Sequence, residues 1–594
     1  MTDDESPPPR DVGRKVAIRR TVVFSLVGVV ALIAAAAIWV GIRGLLLKNE
    51  LEAMVPLAAQ VQDAAVSRDV TALGDLVQQV REHAASADSL SGDPVWRFAE
   101  LTPVLGPNLT AARVVSSNLH AMSDAASPLI DVLAAAQAKD QTGFDVDLMA
   151  RLAEPVRESA TAFAAADAAF AELDTARLLP PLAEGVQKLR TAAGSVAAPL
   201  TTIAPLVRSL PSILGSDGPR NVLVVFQNNA ELRTAGGIAG SFVLLRADHG
   251  AVTLVDQADT SDFPGRSEPI VDVPDSTTEL FGDAFPRFVQ NASMTADFTL
   301  TAELVRAWWA TRSDQAPDAV ISLDVPALAA LLRATGPLQL PQGELTADNF
   351  TQVMLQDIYL TLDRDQQTAF QQQVTAAAFS AAVAGDTDVF ALMEAMAGPV
   401  EQGRISVWSA ESDAQDLLAS SVVGGEAARH TAAGKGAFAA YFNDATTGKM
   451  GPFLDAAMSV GRVECRADGL TDVVVGVTLT NTAAADAGTT LPWWVSGGGL
   501  EGVPPGDIAM NVSVAGPEGA FFGGVRDDDG LLPSTEVVDA GFPTSATTVT
   551  LRPGETKAVE FRFTLQLADD VVPSLLHTPL IAEPDITVST PRCE

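Results

Sequence analysis

NVLVVFQNNAELRTAGGIAGSFVLLRADHGAVTLVDQAD, residues 221–259, decides how the centre of this chain folds. NVLVVFQ (221–227) is a short apolar, β-branched run and reads as a buried strand. SFVLLRAD (241–248) and AVTLVDQA (251–258) read as two more strands, joined across Asp248-His249-Gly250, a hairpin-turn signal. Between the first strand and this hairpin lies the densest polar cluster of the chain, QNNAELRTAGG, Gln227 to Gly237. Two readings of it stand side by side. Arg233 can grip a phosphate bidentately, assisted by backbone N–H groups at Gly236 and Gly237, with Asn228, Asn229 and Glu231 completing a ligand site. Alternatively, the asparagines and Glu231 satisfy loop backbone groups while Arg233 pairs with Glu231.

Working downstream, prolines 264, 269, 274 and 286 predict a long surface loop over 259–290. A helix follows over 297–312, then a strand, DAVISLDV (318–325). PALAALLRATG is a helix that starts at Asp324 or Val325, with Pro326 in its first turn and Gly336-Pro337 as its stop. Thr346 caps the next helix, further helices cover 363–384, 387–397 and 412–421, and RISVWSA (404–410) adds a strand. Strands mixed with helices make residues 218–458 a central α/β domain with a mixed sheet.

From 460 to 594 the pattern becomes all-β. Val559, Phe561, Phe563, Leu565 and Leu567 alternate with polar residues, and Gly/Pro clusters punctuate 497–506, 516–519 and 552–554. This predicts a β-sandwich. Cys465 and Cys593, the two cysteines of the chain, fit no zinc spacing and read as a disulfide in an extracytoplasmic domain, with two separate thiols as the alternative.

Upstream, residues 45–210 are rich in Ala, Leu and Val at helical spacing and predict a helical stalk or bundle. Its expected breaks fall at Pro94, Pro103, Gly106-Pro107, Pro128 and Pro180-Pro181. TVVFSLVGVVALIAAAAIWVGI, residues 21–42, carries no charge. As a helix it is about 33 Å long, enough to cross a hydrocarbon core of about 30 Å. Arg10, Arg14, Lys15, Arg19 and Arg20 precede it, whereas Arg43 and Lys48 follow in the company of Glu50 and Glu52. That bias places the N-terminus in the cytoplasm and the bulk of the chain outside it, held by a single-pass retained anchor. A signal peptide cleaved near Ala34–Ala37 is the rival reading. Residues 1–20 read as a disordered cytoplasmic tail. The predicted fold class is therefore multidomain α+β: transmembrane helix, helical stalk, central α/β domain and C-terminal β-sandwich.

A formal net charge of −36 disfavours nucleic acid as a partner, because phosphates are repelled. Asp256, Asp259 and Asp262 run from a strand into the proline-rich loop at a spacing that can hold Mg²⁺ or Ca²⁺, with solvated acidic residues as the plainer reading. Asp527-Asp528-Asp529-Gly530 resembles the start of a calcium loop without its later ligands. His83, His120, His249, His430 and His577 form no HExxH, and neither a phosphate-binding GxxxxGK[ST] loop nor a GxSxG elbow occurs. Trp308-Trp309 and Trp493-Trp494 read as core or rim residues, with carbohydrate stacking as the alternative. No reaction is legible.

The block from Asn221 to Asp256 resembles the signature of the bacterial domain of unknown function 4012. Looser agreement runs through DAVISLDVPALAALLRATGPLQL, RISVWSAESDAQDLLASSVVGG and YFNDATTGKMGPFLD (441–455), so the likeness spans most of 90–590. It implies a membrane-anchored extracytoplasmic protein and brings no activity with it. The order arginine, hairpin, Asn291-Ala292, then strand and helix ending at Gly336 is also similar to the LytR-CpsA-Psr envelope family. That likeness implies binding of an isoprenoid phosphate and transfer of an envelope glycan, with Arg233 on phosphate and Asp256 or Asp259 near a metal. The chain departs from it in lacking Pro-Arg-Asp after the second hairpin strand, where Asp256-Gln257-Ala258-Asp259 stands, and in lacking the later Arg-x-Arg pair. A non-catalytic scaffold or ligand-binding module is the first functional expectation, a phosphorylated-lipid or glycan enzyme or carrier the second, and a sensor or adhesin the third.

Overall fold

A computed structural model describes residues 12–137, 146–383, 389–568 and 571–589. The chain divides into two compact units, residues 1–139 with 151–204, and residues 140–150 with 205–594.

The first unit is helical. α1 (Val12–Val66) runs without interruption from the apolar segment into the region expected to begin a separate stalk. Residues 12–20, expected as disordered tail, are its first turns, while residues 1–11 lie outside the described residues. The character of α1 changes along its length. Phe24, Leu32, Ile33 and Ile38 are all more than half exposed, whereas further on Leu47, Met54, Leu57 and Ala64 are buried. The buried set recurs at steps of seven and three, which makes one apolar seam. α2 (Val70–Ser91) answers it with Val70, Val77, Ala84 and Ala87. Asp69 caps α2 through the Ala72 amide at 2.9 Å. After α3 (Pro94–Ala99), α4 (Gly106–Gln137) packs on α2. α4 passes straight through Pro128, where a break was expected. Met122 and Ile130, buried on either side of it, hold the helix together, and their packing offsets the lost backbone bond. α5 (Val146–Ala171) and the first part of α6 (Pro180–Ile213) share a core of Val115, Met122, Ala166, Phe170, Val186 and Ala193.

The second unit holds the sheets. β1 (Arg220–Asn228), β2 (Ile238–Asp248), β3 (Ala251–Asp259), β4 (Ala319–Asp324) and β7 (Ile405–Ser409) form one mixed sheet in the order β3-β2-β1-β4-β7. β1 and β4 are its parallel pair, with Val222 opposite Ala319 and Gln227 opposite Asp324. The β2–β3 turn has positive φ at His249 (50°) and Gly250 (82°), the conformation that suits a two-residue hairpin. Alternate residues of β1 face opposite sides. Leu223 and Val225 pack with Trp308 and Trp309 of α8 (Phe298–Trp309), and Val222 and Val224 pack with Ile213, Ile405 and Val407. The tryptophan pair is therefore core.

Residues 259–290 lie mostly at the surface, as expected, but are anchored by a few buried residues and are not irregular throughout. Phe263, Phe285 and Val289 are buried on the Trp308 side of the sheet, and α7 (Asp275–Phe281) lies within the segment. The prolines punctuate short turns there, while the aromatics between them supply the burial. The same segment buries Leu280 of α7 against Val537 and Ala546.

The sandwich begins at 437 rather than 460. β8 (Ala437–Asp444) joins β11 (Ile508–Ala515), β14 (Thr535–Asp539), β15 (Phe542–Leu551) and β17 (Ser574–His577) in one sheet. β9 (Leu454–Cys465), β10 (Thr471–Asn481), β12 (Phe521–Asp527), β13 (Gly530–Leu531), β16 (Thr556–Leu565) and β18 (Asp585–Ser589) form the other. Phe438, Phe442, Val512 and Val514 from the first meet Val473, Val475, Phe561 and Phe563 from the second. Cys593 lies outside the described residues, as does the Cys465 side chain, so the expected bond between them falls outside what the structure describes.

Candidate functional site

The loop after β1 turns inward. β1 is irregular between Phe226 and Gln227, and the chain folds back so tightly that a Cβ on Gly237 would lie 2.2 Å from the Asn228 carbonyl carbon. Gln227 donates to the Ser322 hydroxyl at 2.7 Å. Asn229 is fully buried and donates to Asp324 Oδ2 at 2.9 Å. The same oxygen accepts from Arg404 at 2.7 Å, and Asp324 Oδ1 accepts the Ala327 amide at 2.9 Å as the cap of α9 (Val325–Thr335). Burial raises the Asp324 pKa, and Arg404, the Ala327 amide and Asn229 act against that rise. Arg404 also donates to the Leu580 carbonyl at 2.7 Å.

Arg233 is 6 % exposed. It donates to the carbonyls of Leu232 (2.8 Å) and Asp444 (3.2 Å) and to Asn291 Oδ1 at 3.2 Å. Thr234 and Asn443 exchange hydrogen bonds beside it. The expected partner of Arg233, Glu231, pairs instead with Lys449 at 2.9 Å. This loop thus clasps β8 and the end of the sandwich to the mixed sheet. Asn229, Arg233, Gly236 and Gly237 are part of the clasp, and Asn228 lines an opening beside it.

The acidic residues are likewise engaged. Both oxygens of Asp256 accept from Arg312 at 2.8 Å, and Asp262 lies 3.4 Å from the same guanidinium. Asp259 accepts the Ser261 amide at 2.7 Å and caps the short turn Thr260–Asp262. Among the described residues no three His, Cys, Asp or Glu side chains converge as a metal site. Asp527 accepts the amides of Asp529 and Gly530 in the β12–β13 turn.

The opening beside Asn228 is a cleft of about 490 Å³, within the size range of small-molecule sites. It lies at the carboxyl ends of β1 and β4, where open sheets with parallel strands commonly bind ligands. Its apolar lining is Phe226, Ile238, Val325, Leu328, Met354, Val374 and Ala378. Its polar lining includes Asn228, Ser241, Asp259, Tyr359, Gln367, Gln371 and Lys449, with Arg364 and Asp365. After α10 (Phe350–Gln352), a π-helical turn, Val353–Asp357, precedes α11 (Ile358–Thr361), and α12 (Arg364–Val383) follows. The wider turn shifts the facing of the residues after it. Tyr359 is buried in the chain yet reaches the cleft.

Asn228 fixes what Tyr359 can do. Its Oδ1 accepts the Ala230 amide at 3.0 Å, so its Nδ2 is the atom that donates to the Tyr359 hydroxyl. Gln371 donates to the same oxygen at 3.0 Å. With two donors on its oxygen, the phenol has its own proton left to give. Trp494 holds the Tyr359 carbonyl at 2.9 Å, and Lys449 Nζ stands 4.9 Å from the ring centroid. Burial is the largest single influence on Lys449 and lowers its pKa, but Glu231, Tyr359 and Asp444 together carry the net direction upward, so the ammonium is retained.

Residues 217–359 match a family described as a protein of unknown function, DUF4012. That segment is similar to the DUF4012 family. The matched segment runs from just before β1 to Tyr359, so it includes the loop after β1, the carboxyl ends of β1 and β4 and the π-helical turn, while Arg404, Asn443, Asp444 and Leu580, which that loop clasps, lie beyond it. α12 and Lys449, which complete the cleft, lie beyond it. No match was found to a curated protein or to a solved structure. The likeness to LytR-CpsA-Psr proteins gains no support from these comparisons. Sequence reading missed Tyr359, Gln371 and Lys449, which stand far from the Gln227–Gly237 cluster in the chain.

Proposed function

We propose that this chain is an extracytoplasmic cell-envelope protein, anchored through α1, that works as a non-catalytic ligand-binding module. The observation that carries this reading is the cleft at the carboxyl ends of β1 and β4. Apolar side chains share its lining with a phenol that has a proton to donate and with the Lys449 ammonium. That pairing suits a ligand with an apolar body and an oxygen-rich polar end. Support for the anchor comes from Phe24–Ile42 of α1, whose large apolar side chains are exposed, and from the basic residues that precede it.

Binding or transfer of a polyprenyl-phosphate-linked glycan is the second reading. Arg364 and Lys449 at the cleft favour it, but Lys449 already answers Glu231, which leaves little charge to neutralise a doubly charged head group. Arg233, the phosphate ligand expected from sequence, is buried and spends its terminal nitrogens on the Leu232 and Asp444 carbonyls and Asn291.

The test is organic extraction of the full-length protein purified from its own membrane, followed by mass spectrometry. A species that accompanies the wild type and is lost from Tyr359→Phe and Lys449→Met supports the proposal. An empty wild type, or equal recovery from all three proteins, overturns it.

A further inference from the structure

α2 ends beside the point where α1 leaves its apolar segment. Arg43 of α1 reaches Asp93 at 2.8 Å and the carbonyls of Leu90 (2.7 Å) and Ser89 (2.6 Å). Trp96 of α3, 1 % exposed, packs with Leu47 and Val40 of α1. The connector from α2 to α4, residues 92–105, is therefore fixed at the level of α1 residues 40–47, next to Ile42.

The outer side of that connector is apolar. Phe98, Leu101, Val104 and Leu105 are exposed by 73, 77, 80 and 63 %. Leu45 and Leu46 of α1, at the same level, are exposed as well. Four large apolar side chains within eight residues form a patch rather than scattered surface hydrophobes. The acidic groups of the connector are withdrawn: Asp93 is taken by Arg43, and Glu100 by Arg113 at 2.7 Å. Backbone groups are turned inward too, with Leu101 N on Phe98 O, Thr102 N on Ala99 O and Gly106 N on Thr102 O. A segment whose polar groups are satisfied internally enters a low-polarity layer at reduced cost. Arg97, exposed beside Phe98, has the reach to place its guanidinium among lipid phosphates while its stem stays with the apolar side chains.

We propose that residues 95–105 form a second membrane contact, inserted in the interfacial layer of the bilayer that α1 crosses. This rests on the reading of α1 as a membrane anchor. The occupant of the patch is lipid because Trp96 and Asp93 hold the connector to α1 at residues 40–47, directly after its apolar segment. Such a contact fixes the direction in which the helical unit leaves the membrane, which a single helix leaves free.

The test places the photoreactive residue p-benzoylphenylalanine, one position at a time, at Leu32, Val66, Phe98 and Leu101 of the full chain in phosphatidylcholine nanodiscs. Mass spectrometry then reads lipid adducts after illumination. Adducts from Leu32, Phe98 and Leu101 and none from Val66, at the far end of α1, are expected. Adducts from Leu32 with none from Phe98 or Leu101 overturn the second contact and leave the anchor standing. No adduct from Leu32 rejects the anchor itself, and the inference with it. Adducts from Val66 equal to those from Phe98 overturn the local contact, since the whole helical unit would then lie on lipid.

Discussion

Arg404 and Asp324 stand 2.7 Å apart with both side chains out of solvent, and Asn229 shares the same carboxylate oxygen. One carboxylate thus ties the end of β4, the start of α9 and the loop after β1, while Arg404 adds the Leu580 carbonyl. Removing one partner of such a pair leaves an uncompensated charge in a dry place. Arg404→Met is expected to cost about 3–5 kcal/mol of stability in denaturant unfolding. Asp324→Leu combined with Arg404→Met is expected to recover part of that loss, because neither charge is then stranded. A double variant no more stable than Arg404→Met would contradict this account of the clasp.

Arg233 and Tyr359 are predicted to behave oppositely. Arg233→Ala empties a site where three oxygens converge, and a loss of about 3 kcal/mol is expected. Tyr359→Phe keeps the ring and deletes the donor at the cleft. It is expected to change stability by less than about 1 kcal/mol and to weaken retention of the ligand by roughly tenfold. Thermal unfolding and quantitative extraction on the two variants separate these roles. Arg233→Ala with full stability and lost ligand would restore the sequence-based site.

Asp444 gives a pH signature. Burial pushes its carboxyl up to about 7, against hydrogen bonds from Thr446 and the nearby charge of Arg233. A carboxyl whose folded pKa lies above its unfolded value holds its proton in the native state, so stability falls as pH rises from about 4 to about 7. Glu426, also raised to about 7 by burial, adds to this trend. His430 and His577, whose pKa values burial lowers, oppose it as pH falls below their ordinary range. The comparison that isolates Asp444 is wild type against Asp444→Asn, since an asparagine oxygen still accepts from Thr446. The variant is expected to gain stability relative to wild type as pH rises from 4 to 7. A difference that does not vary with pH would remove Asp444 as the cause.

Much of the mixed sheet was legible because β-branched runs and the Asp-His-Gly turn act locally. β1 to β4, α8 and the Asp324 cap all lie within a residue or three of their expected places. Longer-range effects were not legible. Prolines over 259–290 pointed to exposure, which most of the segment has, but the anchors Phe263, Phe285 and Val289 depend on a sheet that is distant in the chain. Pro128 suggested a break that buried neighbours on both sides override. The polar cluster after β1 was found, but its role was divided: Asn228 faces the cleft while Arg233 faces the interior. Tyr359 owes its place to a π-helical turn, and Lys449 to a loop after β8. Neither leaves a short motif.

The cysteines carry a prediction from the sequence, where the two cysteines of one extracytoplasmic β domain read as a pair. Non-reducing electrophoresis of protein exported from the cytoplasm is expected to show a faster band that slows on reduction, with no thiol alkylated beforehand. Two thiols that alkylate freely without reductant would rule the bond out.

The cleft is the centre of the functional account, and cross-linking from inside it is the most direct measurement. Gln371 of α12 sits beside the Tyr359 hydroxyl, so p-benzoylphenylalanine in its place, illuminated in living cells, samples whatever occupies the space. The account predicts an adduct of one defined small-molecule mass on the full-length protein, absent when Tyr359→Phe is combined with Lys449→Met. Illumination that yields no small-molecule adduct, or the same adduct from the double variant, would contradict it.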